Sequence, residues 1–339
     1  MAENYNNRIE HVDLFRGIGI ILMVFGHMKF IDVRGFDVFY HLIHAFHMPM
    51  FFFLAGYCYK KSDANLKITM LKKARNLLIP YFVFGISEFA LWRLFEGDSW
   101  APLFHLFWIN TEGLAIAGAL WFLTALFIAS VSYFVMDRYI SNKTLLSIIC
   151  FIISIAGCIL PGKLSFRLPY AMDAAMVGVG FIHIGRIIRQ DSDKKFFVLI
   201  QNLRTWQTLL LIILAIVLIM YNGAINMRTG RYASIPLFWI NAVIAIIVGL
   251  NLCKGAENTG FLGKKIRRIG QIGIVYVCIN ELVITVFARI LNRFIDIRII
   301  YNILLVILVF VTLWIGAEIM IKTPLRILLG HGREQNNER

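Results

Sequence analysis

The sequence predicts an all-α, polytopic integral membrane protein with about ten transmembrane helices. Three observations predict this fold class. The 339 residues are 59% hydrophobic and only 16% charged, whereas soluble domains are about half apolar and about a quarter charged. Apolar runs of about 20 residues, the length that crosses a hydrocarbon core, recur along the whole chain. Finally, basic residues concentrate in alternate connections between these runs, as they do in proteins that cross a membrane repeatedly.

Each apolar run ends at polar or charged residues, and together the runs define ten spans. The spans are 12–29, 38–58, 76–95, 114–136, 144–161, 170–188, 206–222, 233–253, 268–292 and 300–321. The apolar segment 100–109 is too short to cross a membrane, so we expect it to lie at the interface or to re-enter. Residues 1–331 are predicted to form a single membrane domain, followed by a polar cytoplasmic tail at 332–339.

The basic residues predict that both termini are cytoplasmic. With that orientation, 23 of the 34 Lys and Arg residues fall in inside segments and 10 fall outside or at the outer flanks. Arg16 alone lies within a span. This bias follows the positive-inside rule and explains most of the net charge of +14, so no nucleic-acid partner is expected. We expect the chain in a bacterial-type plasma membrane, in contact with its lipids.

The cysteines predict neither a disulfide framework nor a metal site. There are five, an odd number, and they are scattered without metal-ligand spacing. Free cysteines are among the residues most often buried as small apolar groups. We therefore expect packing cysteines and no metal.

The first span carries three ionisable residues on one helical stripe. Arg16 and His27 are eleven residues apart, which brings them to nearly the same face after three turns, and Asp13 falls within about 60° of both. Ionisable side chains at membrane depth are costly and face a protein interior or a wet cavity. Two interpretations follow. Asp13 and Arg16 form an interfacial ion pair and His27 only ends the helix, or His27 is a general base that accepts a proton near neutral pH.

The second span and the segment after it add two further features. His47 precedes a proline in mid-span, Pro49, which bends a helix and frees backbone carbonyls. The basic amphipathic stretch 67–79, with Lys72, Lys73 and Arg75, is typical of a helix lying on anionic lipid. Clustered Lys and Arg are equally suited to hold the phosphates of an anionic cytosolic cofactor.

The sequence resembles the acyltransferase-3 family of membrane O-acyltransferases, and most closely its fucose 4-O-acetylase-like branch. The resemblance covers nearly the whole chain and rests on four motifs. These are Arg16 and His27 with ten residues between them, Phe46-His47-Met48-Pro49 continuing to Gly56-Tyr57, Lys72-Lys73-Ala74-Arg75 continuing to Pro80-Tyr81, and Leu120-Trp121-Phe122-Leu123. The first two motifs together are fairly specific, whereas the last alone would indicate little.

The resemblance implies transfer of an acyl group, usually acetyl, from cytosolic acyl-CoA to a hydroxyl of a glycan or lipid-linked sugar at the outer face. It implies His27 as the catalytic base, with Arg16 as its partner. Asp13, on the same helical stripe, is predicted to belong to the catalytic set with them. Arg16, Lys72, Lys73 and Arg75 would hold acetyl-CoA. The predicted substrate-binding residues are His47, Tyr57, Trp121, Asn280 and Glu281.

One departure from the family pattern lies in the ninth span. Family members often carry a histidine there, and this sequence has Asn280 followed by Glu281. Asn280 would keep a hydrogen-bonding role but cannot titrate. Glu281 either supports the site or pairs with an arginine such as Arg228 or Arg289 for structural reasons.

Two rival functions remain open from the sequence. A transporter or flippase would also place charges at mid-membrane, although no inverted repeat is visible. An inactive family relative that acts as a sensing or uptake module is the other. Further polar residues in or near spans are expected mainly to form interhelical ion pairs; they are Glu88, Arg93, Asp173, His183 and Glu318.

Overall fold

A computed structural model describes residues 9–330, apart from 29, 32, 34, 62–64, 96, 117, 191–193 and 257–259. The predicted polar tail at 332–339 lies outside the described residues. Within them, the chain forms α-helices joined by short connections and a single small hairpin.

The helices follow one another along the chain with few interruptions. Their bounds are α1 Glu10–His27, α2 Phe36–Tyr57, α3 Leu66–Phe95, α4 Ala101–Phe107, α5 Trp121–Tyr139, α6 Lys143–Lys163, α7 Met172–Gln190, α8 Lys195–Gln201, α9 Thr205–Asn222, α10 Ile235–Gly255, α11 Gly260–Gln271, α12 Gly273–Phe294 and α13 Arg298–Lys322. Single 3₁₀ segments occupy Gly118–Leu120, Pro169–Ala171 and Pro324–Leu329. The hairpin pairs β1 (Ile225–Asn226) with β2 (Arg231–Tyr232) in antiparallel register.

The predicted fold class is confirmed. Among the described residues, nine helices are long and apolar enough to cross a membrane by length and composition. The helix α1 has 18 residues but carries Glu10, Asp13 and Arg16, and it packs against α2, α10, α11 and α12 within the same bundle. With α1 included, ten long helices among the described residues overlap the ten predicted spans.

Two span boundaries differ from the prediction. The basic stretch 67–79 is not a separate surface helix, because α3 runs without a break from Leu66 to Phe95 through Pro80. A proline removes one backbone hydrogen bond and kinks a helix, and continuing the helix satisfies all the other backbone groups. The predicted span 268–292 is two helices, because Ile272 leaves the helical conformation at φ −109° and ψ 15°.

Glycines allow the central helices to touch backbone to backbone. A Cβ at Gly56 of α2 would lie 1.9 Å from the carbonyl oxygen of Ile182 in α7. A Cβ at Gly270 of α11 would lie 2.1 Å from the carbonyl oxygen of Asp13 in α1. Small residues permit such close crossings in membrane bundles. The second crossing fixes the depth of the charged stripe of α1 relative to α11.

We name the two ends of the bundle after the direction in which α1 runs. The inner end is where α1 begins, and Arg267 of α11 pairs there with Glu10 at 3.3 Å. The outer end is where α1 ends at His27. The predicted interfacial segment forms α4, whose flanking Trp100 and Trp108 are exposed, as tryptophans at a membrane interface are expected to be.

Candidate active site

His27 is held by a carboxylate from a distant part of the chain. Its Nδ1 lies 3.0 Å from Oε1 of Glu281 on α12, and the two side chains are 25% and 20% exposed. A hydrogen bond from Nδ1–H to the carboxylate leaves Nε2 unprotonated, since a neutral imidazole has one donor and one acceptor nitrogen. The histidine therefore presents a basic nitrogen away from Glu281. Glu281, one of the two polar residues singled out in the ninth span, therefore contacts His27.

His27 opens on an outer cavity of about 110 Å³. The walls come from α1, the first half of α2, the start of α5 and the hairpin turn. The lining residues are Met23, Gly26, His27, Tyr40, His44, His47, Met48, Ala119, Trp121, Phe122, Asn226, Met227 and Arg228. The structure thus brings His27, His47 and Trp121, three residues of the predicted site, to one space.

Two more imidazoles of α2 face this cavity and are oriented by their own helix. Nδ1 of His44 lies 2.9 Å from the carbonyl oxygen of Tyr40, and Nδ1 of His47 lies 2.7 Å from that of Ile43. A carbonyl can only accept, so each Nδ1 donates and each Nε2 is an acceptor. The ring of His44 also stacks on Tyr40 with centroids 3.7 Å apart. These contacts give the cavity several fixed acceptor nitrogens.

Sequence reasoning did not assign Tyr40, His44, Asn226 or Arg228 to the site. Tyr40, His44 and His47 share a helix face by their i, i+4 and i, i+3 spacing, which is a signal that could have been found. No such signal exists for the hairpin residues Asn226 and Arg228, because they reach the cavity from a loop that follows α9.

Arg16 and Asp13 lie at the inner end and do not contact His27. Nη1 of Arg16 lies 3.1 Å from Oδ1 of Asp13, and Nε2 of Gln271 donates to Oδ2 of the same carboxylate at 3.1 Å. Eleven residues of helix separate Arg16 from His27 by about 16 Å. The three residues lie along α1 as predicted, with Asp13 and Arg16 at the inner end and His27 at the outer end.

Cys58 connects Arg16 to a second cluster of cations. Nη2 of Arg16 lies 3.9 Å from Sγ of Cys58. Burial raises the pKa of the Cys58 thiol, and the nearby Arg16 and Arg189 guanidinium groups oppose that rise. Arg189 in turn stacks over the ring of Tyr57 at 5.3 Å. The inner end therefore gathers positive charge around the end of α2.

An inner cavity of about 160 Å³ adjoins this cluster. It lies between α1, the end of α2, α7, α8 and α10, and its polar lining is basic or neutral. The polar lining residues are His11, Tyr57, Arg189, Gln201, Asn251 and Lys254. Tyr57 donates to Oε1 of Gln201 at 3.2 Å. Tyr57 thus belongs to the inner cavity, at the opposite end of the bundle from His47.

Lys72, Lys73 and Arg75 lie on the first turns of α3. Lys72 and Arg75 are exposed and Lys73 is half-buried. Among the described residues, none of the three forms a hydrogen bond or an ion pair, and none lines the inner cavity. The backbone of Arg75 packs against Gly330, beyond α13. These three cations remain available to anions at the membrane surface.

Asn280 is fully buried and turns into its own helix. Its Nδ2 donates to the carbonyl oxygens of Tyr276 at 2.8 Å and Val277 at 3.0 Å. It does not line the outer cavity. The next residue, Glu281, is the one that reaches His27.

Most of the other intramembrane polar residues form interhelical or local pairs. The contacts are Asp173–Arg167 at 2.6 Å, Glu318–Arg268 at 2.9 Å, Glu318–Lys322 at 3.0 Å, Arg93–Asp98 at 3.0 Å, and His183 with Tyr133 at 3.1 Å and Ser147 at 2.9 Å. Glu88 is 1% exposed and its carboxyl oxygens have no hydrogen-bond partner among the described residues. The described residues contain no group of three or more His, Cys, Asp or Glu that could hold a metal ion.

Comparison with known proteins identifies the family. Neither the curated proteins nor the solved structures give a match. The family model of the acyltransferase-3 acyltransferase domain matches residues 9–319, which include both cavities and the His27–Glu281 pair. The chain is therefore a membrane acyltransferase that belongs to the acyltransferase-3 family.

Proposed function

We propose that the protein transfers an acetyl or other short acyl group from cytosolic acyl-CoA to a hydroxyl of a surface or exported glycan. The observation that carries the proposal is the His27–Glu281 pair at the wall of the outer cavity. A histidine oriented by a carboxylate is the arrangement that activates a hydroxyl in acyl transfer. The fucose 4-O-acetylase-like branch stays a prediction.

His27 acts as the general base. Its Nε2 takes the proton of the acceptor hydroxyl as the oxygen attacks the thioester carbonyl. The tetrahedral intermediate then collapses, the carbon–sulfur bond breaks, and the proton passes from the imidazolium to the leaving thiolate. The products are the O-acyl ester and CoA. The Glu281 carboxylate stabilises the imidazolium that exists between the two proton transfers, and His47 and Trp121 contact the acceptor.

The donor enters from the inner end. The basic lining of the inner cavity, with Arg189 and Lys254, suits the phosphates of CoA. Arg16, held by Asp13, lies between this cavity and the interior of the bundle. About 16 Å of helix separates Arg16 from His27, and a donor whose thioester ends a long flexible arm can span that distance. Lys72, Lys73 and Arg75 would attract the anionic donor to the membrane surface.

The proposed location is the plasma membrane, with both termini cytoplasmic. The bias of basic residues supports this orientation. The inner end gathers the residues His11, Tyr57, Arg189 and Lys254 from helix ends that the charge count assigns to the cytosol. The orientation puts the donor cavity on the side where acyl-CoA is made and the His27 cavity towards the exported acceptor.

The test is transfer of radiolabelled acetyl from acetyl-CoA into the glycan fraction of membrane vesicles from the source organism, which supply the natural acceptor. His27→Asn is expected to lower incorporation by about 100-fold or more, the usual contribution of a general base. His105→Asn is the matched control, because His105 also lies towards the outer face but does not line the cavity.

Full incorporation by the His27→Asn variant would contradict the proposed mechanism. Wild-type vesicles that neither incorporate label nor release CoA would contradict the proposed reaction. That second result would favour the transporter or the inactive sensing module.

A further inference from the structure

The hairpin after α9 places an arginine in the outer cavity. Arg228 lies in the turn between β1 and β2 and shares the cavity wall with His27, His44 and His47. The remaining polar lining residues are Tyr40 and Asn226, and no Asp or Glu is among the lining residues that the structure describes. Glu281 contacts the Nδ1 side of His27, so among the described lining residues Arg228 is the one that always carries a charge.

Arg228 is fixed in place by a chain of contacts. Its Nε donates to the carbonyl oxygen of Thr111 at 2.9 Å, and Thr111 is buried at 1% exposure. The carbonyl oxygen of Arg228 accepts from Nη2 of Arg167 at 2.9 Å. Arg167 is itself neutralised by the buried Asp173 at 2.6 Å. The hairpin turn is therefore anchored both to the loop after α4 and to α7.

The anchoring leaves the end of the Arg228 side chain unused. Nε is engaged, whereas the two terminal nitrogens have no hydrogen-bond partner among the described residues. No described carboxylate lies within 4.0 Å of this guanidinium. Arg228 is only half-exposed, so leaving its charge unpaired is costly unless a ligand supplies the anion.

We infer that the outer cavity binds an acceptor with an anionic group, and that Arg228 holds this group while the reacting hydroxyl lies at His27. The inference rests on the proposed function and names its substrate class. The planar guanidinium matches a carboxylate or a phosphate with two parallel hydrogen bonds. The anion is the carboxylate of an acidic sugar or the phosphate of a sugar joined to a lipid carrier. In both cases Arg228 determines specificity and does not take part in the chemistry.

The experiment measures binding by calorimetry to the purified full-length protein at one fixed pH. Three probes are compared: methyl β-D-glucuronide, α-D-glucose 1-phosphate and the neutral methyl β-D-glucoside. Wild-type protein is expected to bind one anionic probe about ten- to hundredfold more tightly than the neutral one, the range for a hydrogen-bonded charged pair. The preferred probe, glucuronide or phosphate, identifies the source of the anion.

Two variants of the same hairpin make the test specific. Arg228→Gln is expected to bind the anionic and neutral probes equally, and Arg228→Lys to keep part of the preference because it keeps the charge. Arg231→Gln is the matched control, since Arg231 is exposed on β2 and lies outside the cavity. The elution profile and the thermal midpoint establish that each variant is folded.

Equal binding of all three probes by wild-type protein would overturn the inference, and so would an anion preference that survives in Arg228→Gln. The proposed function fails separately. His27→Asn is expected to lose transfer but keep the anion preference, so full transfer by that variant would contradict the mechanism without touching the inference about Arg228.

Discussion

Replacing Glu281 with glutamine removes the charge beside His27 and keeps the size of the side chain. Two unit charges 3.0 Å apart interact by about 5 kcal/mol at an effective dielectric constant of about 20. Partial exposure of both groups reduces this, and measured hydrogen bonds to charged groups contribute about 1.5–3 kcal/mol. Glutamine keeps a neutral hydrogen bond of about 1 kcal/mol. The remaining loss of about 0.5–2 kcal/mol is a loss of stabilisation of the imidazolium, and it predicts a kcat about 2- to 30-fold lower.

The assay is release of CoA together with incorporation of labelled acetyl in the vesicles. The KM for acetyl-CoA is expected to stay unchanged, because Glu281 lies at the outer cavity and the donor binds at the inner one. Glu281→Asp keeps the charge on a shorter arm and should fall between wild type and glutamine. Glu318→Gln is the control carboxylate, since Glu318 pairs with Arg268 and Lys322 at the inner end.

A normal kcat in Glu281→Gln would refute the role given to this residue. A loss of kcat that Glu281→Asp does not partly restore would also contradict it, because a change of packing rather than of charge would then explain the defect. An equal loss in Glu318→Gln would point to general destabilisation of the bundle.

Two further predictions concern the inner end. Arg189→Gln should raise the KM for acetyl-CoA severalfold with little change in kcat, because Arg189 lines the inner cavity. Arg204 is exposed on the same side, so Arg204→Gln should leave both constants unchanged. A normal KM in Arg189→Gln would contradict the placement of the donor. A membrane-impermeant maleimide should label Cys58 from the cytosolic side only, since the other four cysteines are buried. Cys58 is exposed, but neighbouring protein groups partly desolvate its thiol and raise the pKa of that thiol, so the labelling rate should keep increasing with pH beyond the usual thiol range. Labelling from the outside would contradict the proposed orientation.

The helices were predictable because lipid imposes a strong constraint on sequence. Each crossing needs about 20 apolar residues and leaves no room for irregular backbone, so the runs alone place the bundle. The two boundaries that differ from the prediction lie where hydropathy does not indicate whether a helix continues or breaks. Pro80 is compatible with a helix end and with a proline inside a continuing helix, and in the structure α3 continues through it. The break at Ile272 lies between Gly270 and Gly273, next to the close crossing of Gly270 with α1, and hydropathy does not indicate it.

The candidate site was predictable only along single helices. Helical periodicity placed Asp13, Arg16 and His27 on one stripe. The partner of His27 could not be predicted, because Glu281 is on another helix far along the chain and each carboxylate has several possible partners until the packing is known. Arg228 was missed for the same reason, since it reaches the cavity from a hairpin. The resemblance groups Tyr57 with His47, whereas about three turns of α2 separate the two residues and carry Tyr57 towards the opposite end.

The most direct test of the account is an experimental structure with acetyl-CoA bound. The account predicts phosphates of the donor against Arg189 and Lys254, and the thioester carbonyl reaching past Arg16 to within a few ångströms of Nε2 of His27, whose Nδ1 still contacts Glu281. A thioester that stays at the inner cavity, or that lies on the surface of α3 near Lys72, would contradict the role of His27 as the base in transfer.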